Sequence, residues 1–475
     1  MVLFPDGSRM TTNFALSWLT ERLGWFYLLA GMAPLVMASW LAFGRYGDVL
    51  LGPEGAPPEY STSSWIAMMF TASMGAGLIA WGFAEPVFYI EAPPFGIEPH
   101  SDLAYEFAHM YPIYHWGIVP WAIYCLPAVP IAYMLFVDNR KSLKISDACD
   151  HALPERGRST LRTAIDIFVL LGIVGGVATS LGFGVPLSAS LTSQLLGVPD
   201  NLLTQGAVIL IMTAVFGTSA YRGLKRGIKV LADLNLWLMY FVMVFVVLLG
   251  PTIYICSMSM NSVGLMLDNF FRISFWTDPV SKSGFPEAWT VFYWAWWLAY
   301  APMMGLFFGR ISKGRTIRQV VLGIIGFGAL GTFLFLGIAG AYVLHLQSHG
   351  LLDAVSIITE QGMGPLVAHV IAKLPFKWLI LGVVTLLSII FYSTTFDSAA
   401  YVLASICTHD LAPNREPAAG TRLIWALGLG AMAVSLMMVD AMDTVKSLSV
   451  VLSLPVIPIL VLMCFGLYRS LRDHH

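Results

Sequence analysis

Residues 285–318 read FPEAWTVFYWAWWLAYAPMMGLFFGRISKGRTIR. From Glu287 to Arg310 there is no charged side chain, and then Arg310, Lys313, Arg315 and Arg318 follow within one short loop. A bilayer span needs roughly 20 mostly apolar residues, and lysine and arginine gather on its cytoplasmic side. The stretch therefore reads as a membrane helix whose C-terminal end faces the cytoplasm. The rest of the 475-residue chain agrees. It is 57% hydrophobic and only 11% charged, with a mean hydropathy of +0.74. A soluble domain carries about 25% charged residues, so this chain cannot coat a water-facing surface. A net charge of −2 excludes a general nucleic-acid binder. The five scattered cysteines form no CxxC and no pairing pattern, which excludes a disulfide scaffold or a zinc ribbon.

Ten further apolar runs accompany this one. The expected spans are 24–43, 63–90, 114–136, 163–191, 206–220, 235–256, 287–309, 320–344, 374–404, 422–439 and 448–467. No basic n-region with a cleavage site opens the chain, so no cleaved signal peptide is expected. Basic residues concentrate after the odd-numbered spans, at 140–162, 222–229 and 310–318, while Arg272, Lys282, Lys373, Lys377 and Lys446 fall in the other loops. The C-terminus is thus expected inside and the N-terminus outside.

Spans two to six and seven to eleven form two blocks of five, so the second block enters the membrane from the opposite side. Inverted repeats of this kind build many secondary transporters, whose substrates bind mid-membrane on broken helices. The expected divisions are an N-terminal segment with one helix (1–62), a first repeat (63–256), a periplasmic connection (257–286), a second repeat (287–468) and a short cytoplasmic tail (469–475). Each block offers candidate site residues. Span two holds Ser73-Met74-Gly75-Ala76-Gly77, where unwinding would expose backbone groups beside a cavity; on the motif alone, close helix packing through small residues is the preferred reading.

Span seven places Trp296, Trp297 and Tyr300 in one helical sector, and span three supplies Trp116, Trp121 and Tyr124. These rings fit either an interfacial aromatic belt or a cage for quaternary ammonium. Span nine carries Phe391-Tyr392-Ser393-Thr394-Thr395-Phe396-Asp397, hydroxyls that either bond back to their own helix or hold a small hard cation. By these boundaries Asp397 is an intramembrane carboxylate, a functional candidate by default; the preferred reading puts it near the cytoplasmic end, as a solvated or gate residue.

Those residues resemble the betaine/choline/carnitine transporter family. Phe292-Tyr293-Trp294-Ala295-Trp296-Trp297 followed by Arg310-Ile311-Ser312-Lys313-Gly314-Arg315 is close to the family's signature. Met74–Gly77, Trp81-Gly82-Phe83-Ala84-Glu85-Pro86, Ala92–Gly96 and His115–Tyr124 also match. The resemblance implies an all-α polytopic protein with a LeuT-type fold, two inverted five-helix repeats plus one preceding helix, commonly a homotrimer in the bacterial inner membrane. It implies an aromatic box of Trp116, Trp121, Tyr124, Trp296, Trp297 and Tyr300, with Phe88 where relatives have a box tyrosine. It also implies a Na+ site of Thr71 and Met74 carbonyls with Phe391, Thr394 and Thr395.

Departures from the family refine the expectation. Sodium-independent exchangers place an arginine where this chain has Asn235, which points to Na+ coupling. Ile173 and Val177 stand where a second sodium site would need hydroxyls. Choline carriers place an acid at the position of Gly77, so a neutral Gly77 points to a zwitterion: glycine betaine, carnitine, butyrobetaine or dimethylsulfoniopropionate. Its carboxylate would face the freed amides around Gly75–Gly77. Glu85 reads as a helix-end residue, and His115 as a hydrogen-bonded helix-end residue rather than a base.

Members usually have twelve spans and, when osmosensing, a long charged tail. The reading here is eleven spans and transport without built-in osmotic regulation. An exchanger and a choline importer are the alternative carriers. Outside transport, an enzyme would need a nucleophile set or a metal motif such as HExxH, which is absent. A receptor would lose the ion site. Arg310 is also a candidate gating residue.

Overall fold

The structure, a computed structural model, describes residues 5–73, 75–140, 142–222, 229–408, 411, 415–437 and 442–474. Helix α1 (Pro5–Phe43) precedes α2 (Thr62–Ser73), α3 (Ala76–Glu91), α4 (Asp102–His115) and α5 (Ile118–Phe136). A short α6 (Ile145–Ala148) leads into α7 (Arg158–Leu196), α8 (Leu202–Arg222), α9 (Lys229–Leu249) and α10 (Thr252–Phe275). The second half begins with a π-helical turn, Pro286–Val291, and α11 (Phe292–Arg310). It continues through α12 (Ile317–Ser348), α13 (Ala354–Glu360), α14 (Met363–Ala372), α15 (Lys377–Cys407), α16 (Ala419–Met437), α17 (Met442–Ser453) and α18 (Val456–His474).

Among the described residues, 10 stretches are long and apolar enough to cross a membrane, or 11 when the bent pair α2–α3 counts as one. That pair turns by 51° at the small-residue segment, so the backbone breaks there rather than merely packing closely. Helix α11 lies along α5 and also touches α7 and α17, while α12 packs on α3 and α5, and α15 on α7 and α8. Most of the hydropathic window of α11 is buried, 83%, against 28% for α9. A helix that is apolar on every side belongs in a protein core, which places the tryptophan-rich span at the centre of the bundle.

Three boundaries differ from the sequence expectation. The helix of span three starts at α4, well before residue 114, and is jointed at Trp116–Gly117. At Gly117 a Cβ would fall 2.5 Å from the Ile113 carbonyl oxygen, so the joint needs glycine. Span six ends at Leu249, and residues from Thr252 onward form α10; Pro251 lacks the N–H that would continue α9. Lys446, expected in an extracellular loop, lies within α17 and is 6% exposed. Hydropathy averaged over a window detects none of these breaks.

The basic loop after α11 has a structural role besides its charge. Gly314 donates its N–H to the Leu51 carbonyl at 2.7 Å, and Leu51 donates back to the Arg315 carbonyl at 2.8 Å. The Gly314 backbone, at φ +75°, runs so close to Pro57 that a Cβ would lie 2.6 Å from its carbonyl oxygen. Arg315 lies over Trp65 at 4.9 Å and donates to Thr62 Oγ1 and to the Tyr60 carbonyl. The loop therefore clasps the segment leading into the broken helix α2–α3.

Candidate functional site

Six of the expected aromatic residues come together. Trp116 sits at the α4–α5 joint, Trp121 and Tyr124 follow on α5, and Trp296, Trp297 and Tyr300 project from α11. All six are buried, Tyr300 being the most exposed at 9%. Trp297 is the hub: its ring lies 5.6 Å from Trp116, 5.3 Å from Trp121 and 4.8 Å from Tyr124. Trp116 meets Trp296 at 5.7 Å and 82°. Burial of all six rules out an interfacial belt.

Hydrogen bonds fix the ring orientations. The Trp121 indole N–H donates to the Trp116 carbonyl at 3.1 Å, and the same oxygen accepts from Thr332 Oγ1 at 2.6 Å. The Trp296 N–H donates to the Gly176 carbonyl of α7 at 3.1 Å. The Tyr300 hydroxyl bonds Ser180 Oγ at 2.8 Å. The cluster is thus tied to α7 and α12 as well as to its own helices.

Gly77 brings the broken helix to this cluster. A Cβ there would lie 2.9 Å from Trp116 Cη2 and 3.2 Å from Trp296 Cη2, so the ring tips demand glycine. Gly75 is the N-cap of α3 and, having no side chain, makes no cap hydrogen bond of its own. A Cβ at Gly75 would meet nothing within 4 Å.

Phe88, expected in the box, has Trp289 as its ring neighbour, at 5.3 Å. Trp289 in turn lies under Lys446 Nζ at 4.1 Å. Phe88 therefore belongs to an aromatic tier beside the box, where Trp81 bridges Trp289 (6.1 Å) to Trp296 (6.5 Å).

Trp81 and Glu85 are the residues that sequence reasoning missed as site components. Gly77, Trp81 and Glu85 recur every four residues, which places them on one face of α3, and that spacing was the available signal. Glu85 is no helix-end residue: it lies mid-helix and is 0% exposed. Its carboxylate accepts from Tyr89 and Tyr293 hydroxyls, both at 2.6 Å, and from the Trp116 indole at 3.2 Å. His115 Nδ1 completes the set at 2.8 Å, while His115 Nε2 bonds Thr290 Oγ1 at 3.1 Å. His115 does close α4, as expected.

Of the expected cation residues, Met74 lies outside the described residues. Thr71 stands in the last turn of α2, where helix carbonyls lose their internal partners; its hydroxyl donates to Ala67 at 2.7 Å. On α15 the Thr394 and Thr395 hydroxyls both donate to the Phe391 carbonyl, at 2.8 and 3.0 Å. Asn235 of α9 donates its amide N–H to Thr394 Oγ1 at 2.9 Å, and its buried Oδ1 has no partner among the described residues. The donor set is all oxygen and uncharged, which fits a small monovalent hard cation better than a transition metal.

Asp397, one helical turn further on, is 0% exposed, not solvated. It accepts from Ser219 of α8, an anchor that hydropathy could not foresee. Arg310 ends α11 close to Tyr60, whose phenol is raised above its ordinary value by burial and by Glu59 while Arg310 pulls it back.

The whole chain, residues 1–475, matches the model of the BCCT, betaine/carnitine/choline family transporter. The chain belongs to this family. A glycine betaine transporter of Acinetobacter baylyi is 32% identical over 99% of this chain and 71% of its own length. A carnitine transporter of Acinetobacter baumannii is 30% identical over 96% of this chain and 83% of its own. A solved Na+-coupled sialic acid symporter in a substrate-bound outward-open state superposes with a TM-score of 0.50 at 13% identity, covering 96% of this chain and 86% of that one. That likeness shows the LeuT-type fold, and the family match over the whole chain makes this BCCT protein a multi-pass membrane transporter rather than an enzyme.

Proposed function

We propose that this BCCT protein imports a zwitterionic trimethylammonium or sulfonium solute of the glycine betaine class, driven by Na+ as co-transported ion. The observation that carries the reading is the near-perpendicular set of buried rings around Gly77. Trp116 and Trp296 meet edge to face at 5.7 Å and 82°, an ordinary distance for packed aromatic rings, so a quaternary ammonium would enter by parting these rings and resting against their faces. With no side chain at Gly77, the solute's own carboxylate supplies the negative charge and faces the start of α3.

Na+ would be held by the Phe391 carbonyl, the Thr394 and Thr395 hydroxyls and the end of α2. Its occupancy stabilises the break between α2 and α3 and so prepares the box. The solute then enters, and rocking of the repeats against each other opens the cytoplasmic side. Asn235 in place of a fixed guanidinium favours coupling over sodium-independent exchange. The bacterial relatives support the bacterial plasma membrane as location, and a homotrimer follows the family resemblance. Glu85, one indole behind the box, favours a second reading in which a carboxylate-free cation such as choline is the solute.

Uptake into proteoliposomes of labelled glycine betaine, carnitine, dimethylsulfoniopropionate and choline, with and without an inward Na+ gradient, tests both. Concentrative uptake of one zwitterion only with Na+ supports the first reading. Choline as the preferred solute replaces it with the second, and sodium-indifferent exchange removes the coupling ion.

A further inference from the structure

Asn235 sits on α9, the helix that touches both halves of the proposed cation site. Its amide N–H holds Thr394 Oγ1 at 2.9 Å, on α15. Five residues along α9, Tyr240 stacks on Phe70 at 6.0 Å and 17°, next to Thr71 in the last turn of α2. The residue is only 2% exposed, yet Oδ1 has no hydrogen-bond donor among the described residues.

A buried acceptor without a donor is rare and calls for a reason. Turning the carboxamide over would let Oδ1 accept from the Thr394 hydroxyl but would leave the amide nitrogen without an acceptor, so one polar atom stays over either way. Either orientation keeps the amide oxygen within one carboxamide width of Thr394. Thr394 shares the Phe391 carbonyl with Thr395, so one carbonyl and two hydroxyl oxygens lie together on α15. Hydrogen bonding accounts for those three, since both hydroxyls donate to one carbonyl, and it leaves the Asn235 oxygen over.

We propose that the Asn235 carboxamide oxygen is a ligand of the co-transported Na+, joining α9 to the oxygens of α15. The inference rests on the Na+-coupled reading and adds to it a residue from a third helix. A neutral amide oxygen suits a monovalent cation: it replaces hydration without the charge that would favour a divalent ion. Because α9 also packs on α15 and stacks on α2, occupancy of the site would hold three helices in one arrangement.

The test is radiosodium binding to the purified full-length protein in detergent, for wild type, Asn235→Leu and Asn235→Asp, with melting temperature and elution volume recorded for each. Asn235→Leu removes oxygen and nitrogen together, and Asn235→Asp keeps an oxygen in place. Loss of an outer partner of a metal ligand already lowers affinity on the order of tenfold. The expected result is at least that weakening in Asn235→Leu and wild-type or tighter binding in Asn235→Asp. Equal binding in all three overturns the assignment while leaving Na+ coupling intact. Weakening in both variants also overturns it, because the amide's hold on Thr394 would then be what matters. No saturable binding by the wild type means that the Na+-coupled reading itself has failed. Should Asn235→Leu not fold, Asn235→Asp decides: binding below wild type by a folded Asn235→Asp overturns the assignment, and tighter binding supports it.

Discussion

The indole N–H of Trp116 donates to Glu85 Oε2 at 3.2 Å, so one wall of the aromatic cluster rests on a fully buried carboxylate. Four groups converge on this carboxylate: the Tyr89 and Tyr293 hydroxyls, the Trp116 indole and His115 Nδ1. Removing it orphans several donors at once, at a cost of about 1–3 kcal/mol for each. Glu85→Ala is therefore expected to lower the melting temperature sharply. Tyr293→Phe removes a single donor and should cost only about 1 kcal/mol. Thermal unfolding in detergent compares them with wild type, and a wild-type melting temperature for Glu85→Ala would show that the network contributes nothing to the fold.

Gly77 and Gly75 make a matched pair. At Gly77 a Cβ would press to 2.9 Å on Trp116, while at Gly75 it would meet open space. Gly75 has φ −88°, a conformation any residue adopts. Gly77→Ala should abolish or strongly weaken solute-induced tryptophan fluorescence, and Gly75→Ala should leave it within about twofold of wild type, an energy difference of less than ~0.5 kcal/mol. Similar loss in both variants would mean that the segment's flexibility, not its contact with the rings, is what counts.

These two residues also show what the sequence could convey. The eleven spans and the six rings were legible because they depend on residue type and spacing along single helices, whereas the break in the second span was only the lesser of two readings of its small residues. The role of Glu85 was not, because its partners come from α3, α4 and the α11 entry and meet only in the folded bundle. Asp397 escaped for the same reason: its depth is set by Ser219, on another helix. Phe88 resembled a box residue by alignment, yet three helical turns along α3 carry it past the box to Trp289.

Trp297 contacts three of the other five rings, so its removal tests the cage directly. Loss of one cation–π contact in a desolvated site costs about 1–2 kcal/mol, which is roughly a 5- to 30-fold rise in Kd. Trp297→Leu should show at least that rise in a solute titration. Trp294 is the control, since it is fully buried on the same helix but packs on Tyr114 at 5.4 Å instead of on the box. Trp294→Leu should lower the melting temperature with little change in Kd. If Trp294→Leu weakened solute binding as much as Trp297→Leu does, the loss would reflect packing of α11 rather than cation recognition.

Asp397 couples α15 to α8 from within the bundle. One carboxylate oxygen is held by Ser219, and the other, Oδ1, has no hydrogen-bond partner among the described residues. Burying a carboxylate opposes folding unless it is fully satisfied, and ionisable groups at membrane depth are retained chiefly for function. Asp397→Asn keeps the shape and removes the charge. It should hold or raise the melting temperature while lowering the uptake rate in proteoliposomes by about tenfold or more. Ser219→Ala should act in the opposite sense on stability, leaving the carboxylate with less support at a cost of about 1–3 kcal/mol. An Asp397→Asn protein with wild-type uptake would reduce the pair to a structural contact between two helices. A stabilised protein that no longer transports would place the carboxylate in the conformational cycle, one turn from the hydroxyls proposed to hold Na+.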